Sequence, residues 1–270
     1  MKLKDKVVII TGATSGIGEA CAFVFGGQGA KILITGRSQV KLDNVLHRLQ
    51  NQGISAVGVL ADAGSLEDNQ KMTDEAIRHY GGIDILINNA GISMRALFED
   101  LDLEVFHQVM NTNFWGTVYA TKFCLPHILK SKGSIVGVSS INGYRGTPAR
   151  TAYTASKYAM NGFFESLRTE VMKKGVHVLV ASPGFTASNI RNNALTADGT
   201  VQGESPREEK KMMSSEEVAQ EILKATLARK RDIVLTGQGK LAVFLNKWIP
   251  GIMDGVVYNH MAKEKDSPFK

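Results

Sequence analysis

Lys6-Val-Val-Ile-Ile-Thr11 runs without a break into Gly12-Ala-Thr-Ser-Gly16-Ile-Gly18. The first stretch is short, apolar and β-branched, the pattern of a strand buried on both faces of a parallel sheet. Beyond the glycines, Ala20, Ala22, Phe23 and Phe25 read as a helix ending at Gly26-Gly27. Strand, glycine turn and helix in this order form the setting of a dinucleotide-binding loop. Glycine lets the backbone approach a pyrophosphate, and the helix N-terminus faces its charge. The spacing is GxxxGxG rather than GxGxxG. Alone, such a loop is also compatible with an ordinary tight turn.

Outward from this stretch, strand and helix signals alternate. Strands are expected at about 6–11, 31–35, 55–60, 84–88, 133–138, 176–181 and 232–235, and helices at about 16–28, 38–52, 65–80, 102–130, 152–174 and 215–229. The alternation predicts an α/β fold: one Rossmann-like, doubly wound parallel sheet of about seven strands with helices on both faces. No Pro/Ser-rich linker or internal repeat divides the chain. Residues 1–238 are expected to form the domain and 239–270 a C-terminal extension. In the helix at 152–174, Ala152, Ala155, Ala159, Phe163, Leu167 and Val171 mark an apolar face suited to the core and to a subunit contact. Residues 185–214 lack a period and are rich in turn formers, and Pro206–Lys211 reads as a solvated helix or coil. Long irregular segments in compact domains are usually functional or mobile.

The 270 residues are 43% hydrophobic and 21% charged, ordinary for a globular protein. The net charge of +6 is spread along the chain among acids, without a basic block interleaved with aromatics, so no nucleic-acid partner is expected. Cys21 and Cys124 show no CxxC spacing, and the six histidines show no ligand pairing, so no metal is expected. Met1–Lys6 leads straight into the first strand, which leaves no room for a signal segment; a cytoplasmic location is expected.

Three further motifs carry chemistry. Asp84-Ile-Leu-Ile-Asn88-Asn89-Ala90-Gly91 is a strand ending in two amides and a glycine. Ser134-Ile-Val-Gly-Val-Ser139-Ser140 is another, ending in hydroxyls. Tyr153-Thr-Ala-Ser-Lys157 sets a Tyr and a Lys about one turn apart on one helix face. A phenol ordinarily titrates near pH 10; a nearby ammonium favours phenolate and suits the pair to proton transfer at a carbonyl or alcohol. Each has an ordinary alternative: a turn, a strand-end Ser, a solvated Lys beside a half-buried Tyr.

Together, Thr11-Gly-x-x-x-Gly-x-Gly18, Asn88-Asn-Ala-Gly91, Ser140 and Tyr153-x-x-x-Lys157 resemble, in order and spacing, the short-chain dehydrogenase/reductase family, over roughly residues 5 to 235. The resemblance implies hydride transfer between a nicotinamide cofactor and a carbonyl/alcohol pair. Tyr153 would be the proton donor, Ser140 a second donor to the developing oxyanion, and Lys157 the group that lowers the Tyr153 pKa and binds the ribose. Asn113, in an NxxG pattern, would hold a water that relays protons. Ser139 is the rival of Ser140, and Asn111 of Asn113. For the cofactor it implicates Thr11, Gly12, Thr14, Ser15, Gly16, Ile17, Gly18, Arg37, Ser38, Asp62, Asn89, Ala90, Gly91, Tyr153, Lys157, Pro183, Gly184 and Thr186. Asp62 is expected at the adenine, with a turn or capping role as the alternative, and Thr186 at the carboxamide. The family also implies a homodimer or homotetramer through the helix at 152–174 and the one before it, and a substrate lid in 185–214.

Cofactor type has a physical marker. An acid after the second strand holds the ribose 2′-hydroxyl of NAD; Arg there suits the 2′-phosphate of NADP. Here Ile32-Leu-Ile-Thr35 is followed by Gly36-Arg37-Ser38, which favours NADP(H). In the extension, Leu241, Phe244, Leu245, Trp248 and Ile249 are expected on one side, Lys240 and Lys247 on another. Packing on its own domain or lining the substrate entrance ranks ahead of contact with a membrane surface. Such an extension resembles family members acting on steroids, retinoids or long-chain acyl ketones. The last residues, 263–270, are expected to fray. The leading expectation is therefore an NADP(H)-dependent oxidoreductase with a small-molecule carbonyl/alcohol substrate. Behind it stand a 3-oxoacyl carrier-protein reductase, a non-catalytic NADP-binding redox sensor, and an epimerase or dehydratase of nucleotide sugars.

Overall fold

A computed structural model describes residues 2–205 and 212–269, so the expectation for Pro206–Lys211 lies outside the described residues. The sheet strands are β1 (Val7–Ile10), β2 (Lys31–Gly36), β3 (Ala56–Leu60), β4 (Ile85–Asn88), β5 (Ser134–Val138), β6 (His177–Ser182) and, after the short pair β7 (Thr186–Ala187) and β8 (Met213–Ser214), β9 (Asp232–Val234). All pairings are parallel, in the order β3-β2-β1-β4-β5-β6-β9. The strand order reverses between β1 and β4, which opens a crevice at their carboxyl ends, the place where such sheets bind ligands.

The helices are α1 (Gly16–Gly26), α2 (Gln39–Asn51), α3 (Leu66–Tyr80), α4 (Leu103–Met110), α5 (Gly116–Ser131), α6 (Thr151–Val171), α7 (Ser215–Leu227), α8 (Gly237–Trp248) and α9 (Pro250–Ala262). Alternate strand residues feed two cores. Val8, Ile10, Ile32 and Ile34 meet Phe25, Leu42, Leu49, Val218 and Ile222 on one face. Ile9, Leu33 and Leu86 meet Met72, Cys124, Ile128, Met160 and Phe164 on the other. Burial on both faces explains the uninterrupted apolar runs. Local signals fix the helix starts: Ser65 accepts from the Asp68 N–H, and Ser214 and Glu217 form a reciprocal capping box.

Four expectations need correction. The helix expected at 102–130 is broken by a π-helical turn, Asn111–Trp115. Buried Asn113 there exchanges hydrogen bonds with both backbone groups of Ile92, and the wider turn accommodates that contact. On α6 the buried stripe runs through Ala152, Ser156, Met160, Phe164, Leu167 and Val171, while Ala155, Ala159 and Phe163 are only partly buried. The Phe164 ring fills the space that a side chain at Gly137 would occupy. In α8 the expected apolar face points outward, with Leu241, Phe244 and Trp248 57%, 61% and 67% exposed. The extension instead attaches through Gly239, Asn246, Met253 and Met261. Finally, 263–269 is anchored rather than frayed, since Glu264 and Ser267 are buried and Glu264 pairs with Arg95 and Arg150.

Candidate active site

The glycine loop is braced against the end of β4. Thr11 Oγ1 accepts from the Asn89 and Ala90 N–H groups, both at 3.0 Å. Asn89 Nδ2 donates to the Thr11 and Gly12 carbonyls at 3.0 and 2.9 Å. Gly12 (φ +63°) and Gly16 (φ +59°) lie in the left-handed region, and a Cβ on Gly12 would sit 2.7 Å from the Ala90 Cα. A Cβ on Gly18 would strike Asn89 Nδ2 and the Gly12 carbonyl. Thr14 packs where Gly36 lacks a side chain, and Ile17 lies against the core. Ser15 is the N-cap of α1 but its side chain makes no capping bond, so the loop opens onto an 11-residue helix start. The same crevice receives Gly91, whose missing side chain leaves room beside Asn113 Oδ1 and Lys157 Nζ, 3.3 and 3.6 Å from an ideal Cβ.

The two rival hydroxyls have different partners at the end of β5. Buried Ser139 donates to Asn161 Oδ1 at 2.6 Å. Ser140 accepts from the Asn142 N–H at 3.1 Å, and its hydroxyl is close enough to the Tyr153 phenol to lower that group's pKa. Asn111 is exposed and donates to the Gly64 carbonyl, whereas Asn113 is 0% exposed and also donates to Ser156 Oγ at 2.9 Å. The structure therefore brings Asn113, Ser140, Tyr153 and Lys157 to one end of the sheet.

Their electrostatics differ from expectation. Burial raises the Tyr153 phenol above its ordinary value, opposed by the neighbouring Ser140 hydroxyl and by the charges of Arg150 and Arg191. The expected lowering by Lys157 is corrected. Its ammonium lies 5.7 Å from the Tyr153 ring centroid and donates to the Val138 carbonyl at 3.0 Å. Burial pushes Lys157 itself down to about 8.

The remaining candidates line the same edge. Arg37 follows β2, exposed, with no hydrogen-bond or ion-pair partner among the described residues. Ser38 caps α2 through the Lys41 N–H at 3.5 Å. Asp62 is exposed after β3; its Oδ1 accepts from the Gly64 N–H at 2.8 Å, so the turn role is real. The Pro183 carbonyl accepts from the Ile141 N–H, and Gly184 fits closely against Thr236 and Ile141. Thr186 is buried and donates to the Gly184 carbonyl at 3.3 Å.

A sequence profile described as short chain dehydrogenase matches residues 6–199. The chain belongs to the short-chain dehydrogenase/reductase family. It is 36% identical over 274 residues to the mouse (Mus musculus) dehydrogenase/reductase SDR family member 7B, covering 98% of this chain and 84% of that protein. It is 40% identical over 187 residues to 11-beta-hydroxysteroid dehydrogenase-like 2 of Arabidopsis thaliana, covering 68% and 60%. A Caenorhabditis elegans short-chain dehydrogenase/reductase solved with cofactor superposes with a TM-score of 0.78 at 26% identity, over 89% of this chain and 97% of that one. One from Burkholderia phymatum, in complex with NAD, gives 0.83 at 21% identity, over 93% and 96%.

Residues that sequence reasoning missed surround this family site. Asn161 engages the Ser139 hydroxyl. Arg95, Arg150 and Glu264 gather beside α6 from positions 169 residues apart at the extremes. No periodicity or spacing marks an ion cluster assembled from a loop, a helix cap and a chain end. Among the described residues there is no group of three His, Cys, Asp or Glu able to hold a metal, and no helix long and apolar enough to cross a membrane.

Proposed function

We propose that this chain is an NADP(H)-dependent oxidoreductase that interconverts a carbonyl and a secondary alcohol on a hydrophobic substrate such as a steroid, retinoid or lipid-like ketone. The observation that carries the reading is the gathering of Ser140, at the end of β5, and Tyr153 beside buried Lys157 and Asn113. The side-chain-free cradle at Gly12, Gly16, Gly18 and Gly91 fits a dinucleotide, since backbone approach and a helix N-terminus suit a pyrophosphate. When bound, the nicotinamide would supply or accept the hydride.

The chain's own residues handle the proton and the charge. Tyr153 Oη donates its proton to the substrate oxygen as negative charge builds there. Ser140 Oγ hydrogen-bonds the same oxygen, so two donors meet the oxyanion. The raised phenol stays protonated at neutral pH, which suits the reductive direction. Lys157 Nζ, near Gly91 and Asn113, would hold a ribose hydroxyl and pass protons onward with Asn113. Arg37 would bind the 2′-phosphate, which supports NADP(H) over NAD. Asp62 would serve the adenine and Thr186 the carboxamide.

Substrate class draws support from the extension, whose Met253 and Met261 are buried and whose His260 ring lies 6.3 Å from that of Phe185, centroid to centroid. The Arabidopsis relative is named for a hydroxysteroid. A homodimer or homotetramer through α5 and α6 would cover partly exposed Trp115 and Tyr158. A cytoplasmic enzyme resting on a membrane through exposed Leu241, Phe244 and Trp248 fits the outward face of α8. The test is an NADPH-oxidation screen over ketones, aldehydes, steroids and 3-oxoacyl thioesters, run with Tyr153→Phe alongside. Turnover of a hydrophobic ketone that the variant loses supports the reading; equal rates on every hit would sink it.

A further inference from the structure

Two arginines from separate segments, Arg95 and Arg150, meet one acid close to Tyr153. The Arg95 N–H donates to the Leu195 carbonyl at 2.8 Å and the Ala96 N–H to the Ala149 carbonyl at 3.1 Å. Arg150 caps α6, three residues before Tyr153. Arg150 and Arg191 are each 8% exposed, and both charges reach the Tyr153 phenol. The acid facing Arg95 and Arg150 arrives from the far end of the chain. Glu264, 6% exposed, lies 3.6 Å from Arg95 Nε and 3.5 Å from Arg150 Nη2. Arg95 Nη2 also donates to the Lys265 carbonyl at 2.7 Å.

A guanidinium presents a fork that matches a carboxylate, and burial strengthens the pairing. Here the protein supplies that carboxylate itself, next to the proposed proton donor. We propose that Glu264 is a specificity-determining residue: by occupying Arg95 and Arg150 it makes the site select uncharged carbonyl substrates over carboxylate-bearing ones. The inference rests on the carbonyl-reductase reading above. Glu264 touches no reacting atom; it acts through the arginines. The extension has other anchors, since Arg145 donates to Asn246 Oδ1 at 3.1 Å and Asp254 Oδ1 at 2.7 Å. Loss of the Glu264 charge therefore leaves the segment attached.

Phenylglyoxylate and its methyl ester test this, because they differ in charge and by only one methyl group. In the full-length enzyme, kcat/KM favours the ester. Glu264→Gln lowers the ester-to-acid ratio about tenfold or more, through KM for the acid, with kcat for the ester within about threefold of wild type. Arg150→Gln, in which Glu264 keeps Arg95, moves the ratio the other way and decides the matter if Glu264→Gln fails to fold. A second arm needs no turnover: phenylglyoxylate raises the melting temperature of Glu264→Gln and not of wild type. Unchanged ratios in the variants, or equal thermal responses to the acid, overturn the proposal. Wild type that turns over neither compound counts against the reductase reading, while the melting arm still decides the role of Glu264.

Discussion

Replacing Lys157 by Met should stabilise the fold at neutral pH while removing its chemistry, and the gain should vanish as pH rises. Lys157 is 3% exposed, and its pKa is pushed down to about 8 from the ordinary 10.5. A gap of that size corresponds to about 3 kcal/mol of penalty for burying the ammonium. Below pH 8 the group is charged in both folded and unfolded chains and the penalty is fully present. Between 8 and 10.5 the folded chain has lost the proton that the unfolded chain still binds, so stability climbs with pH. Met keeps the length and apolar stem but gives up the donor to the Val138 carbonyl, at a cost of about 1 kcal/mol. The net gain at pH 7 is therefore about 2 kcal/mol, a rise in Tm of roughly 4–8 °C for a domain of this size. Urea unfolding of both proteins from pH 7 to 10.5 reads the difference directly, since other titrations cancel. Wild-type stability should close the gap over that window. A stability difference that stays flat from pH 8 to 10.5 would refute the reasoning.

Thr11→Val removes the acceptor of two backbone N–H groups and should destabilise by about 2–4 kcal/mol, seen in chemical denaturation, with weaker cofactor binding. Ser140→Ala should lower kcat by about 10- to 1000-fold with the fold intact. Ser139→Ala should chiefly cost stability, because its partner is Asn161. Arg37→Ala should weaken NADPH by about tenfold or more and leave NADH nearly unaffected, measured by fluorescence titration. Equal use of NADH and NADPH by the wild type would contradict the role given to Arg37.

The fold was legible because its strands are buried on both faces. Runs such as Val7–Ile10 and Ile85–Asn88 have few other solutions, and each ends in a glycine, amide or hydroxyl that the sheet then gathers at one edge. The site was legible to the extent that it follows chain spacing, as with Tyr153 and Lys157. Ser140 could be ranked over Ser139 by spacing, but the reason, Asn161, lies 22 residues away and emerges only on folding. Periodicity misled on α6, where Phe163 and Phe164 are adjacent and only the second enters the core against Gly137. The π-helical turn at Asn111–Trp115 has no sequence marker, since its residues suit an ordinary helix equally well. The phenol's pKa also depended on tertiary burial, which outweighs a charge one turn away.

The central claim is that Tyr153 delivers a proton to an oxygen whose carbon receives hydride. Reduction of the best carbonyl substrate with NADPH carrying deuterium at both C4 positions tests it most directly, by mass spectrometry of the alcohol in single turnovers of wild type and Tyr153→Phe. The account predicts one deuterium on the carbinol carbon and a rate at least about 100-fold lower in the variant. Unlabelled alcohol, or a variant as fast as wild type, would contradict it.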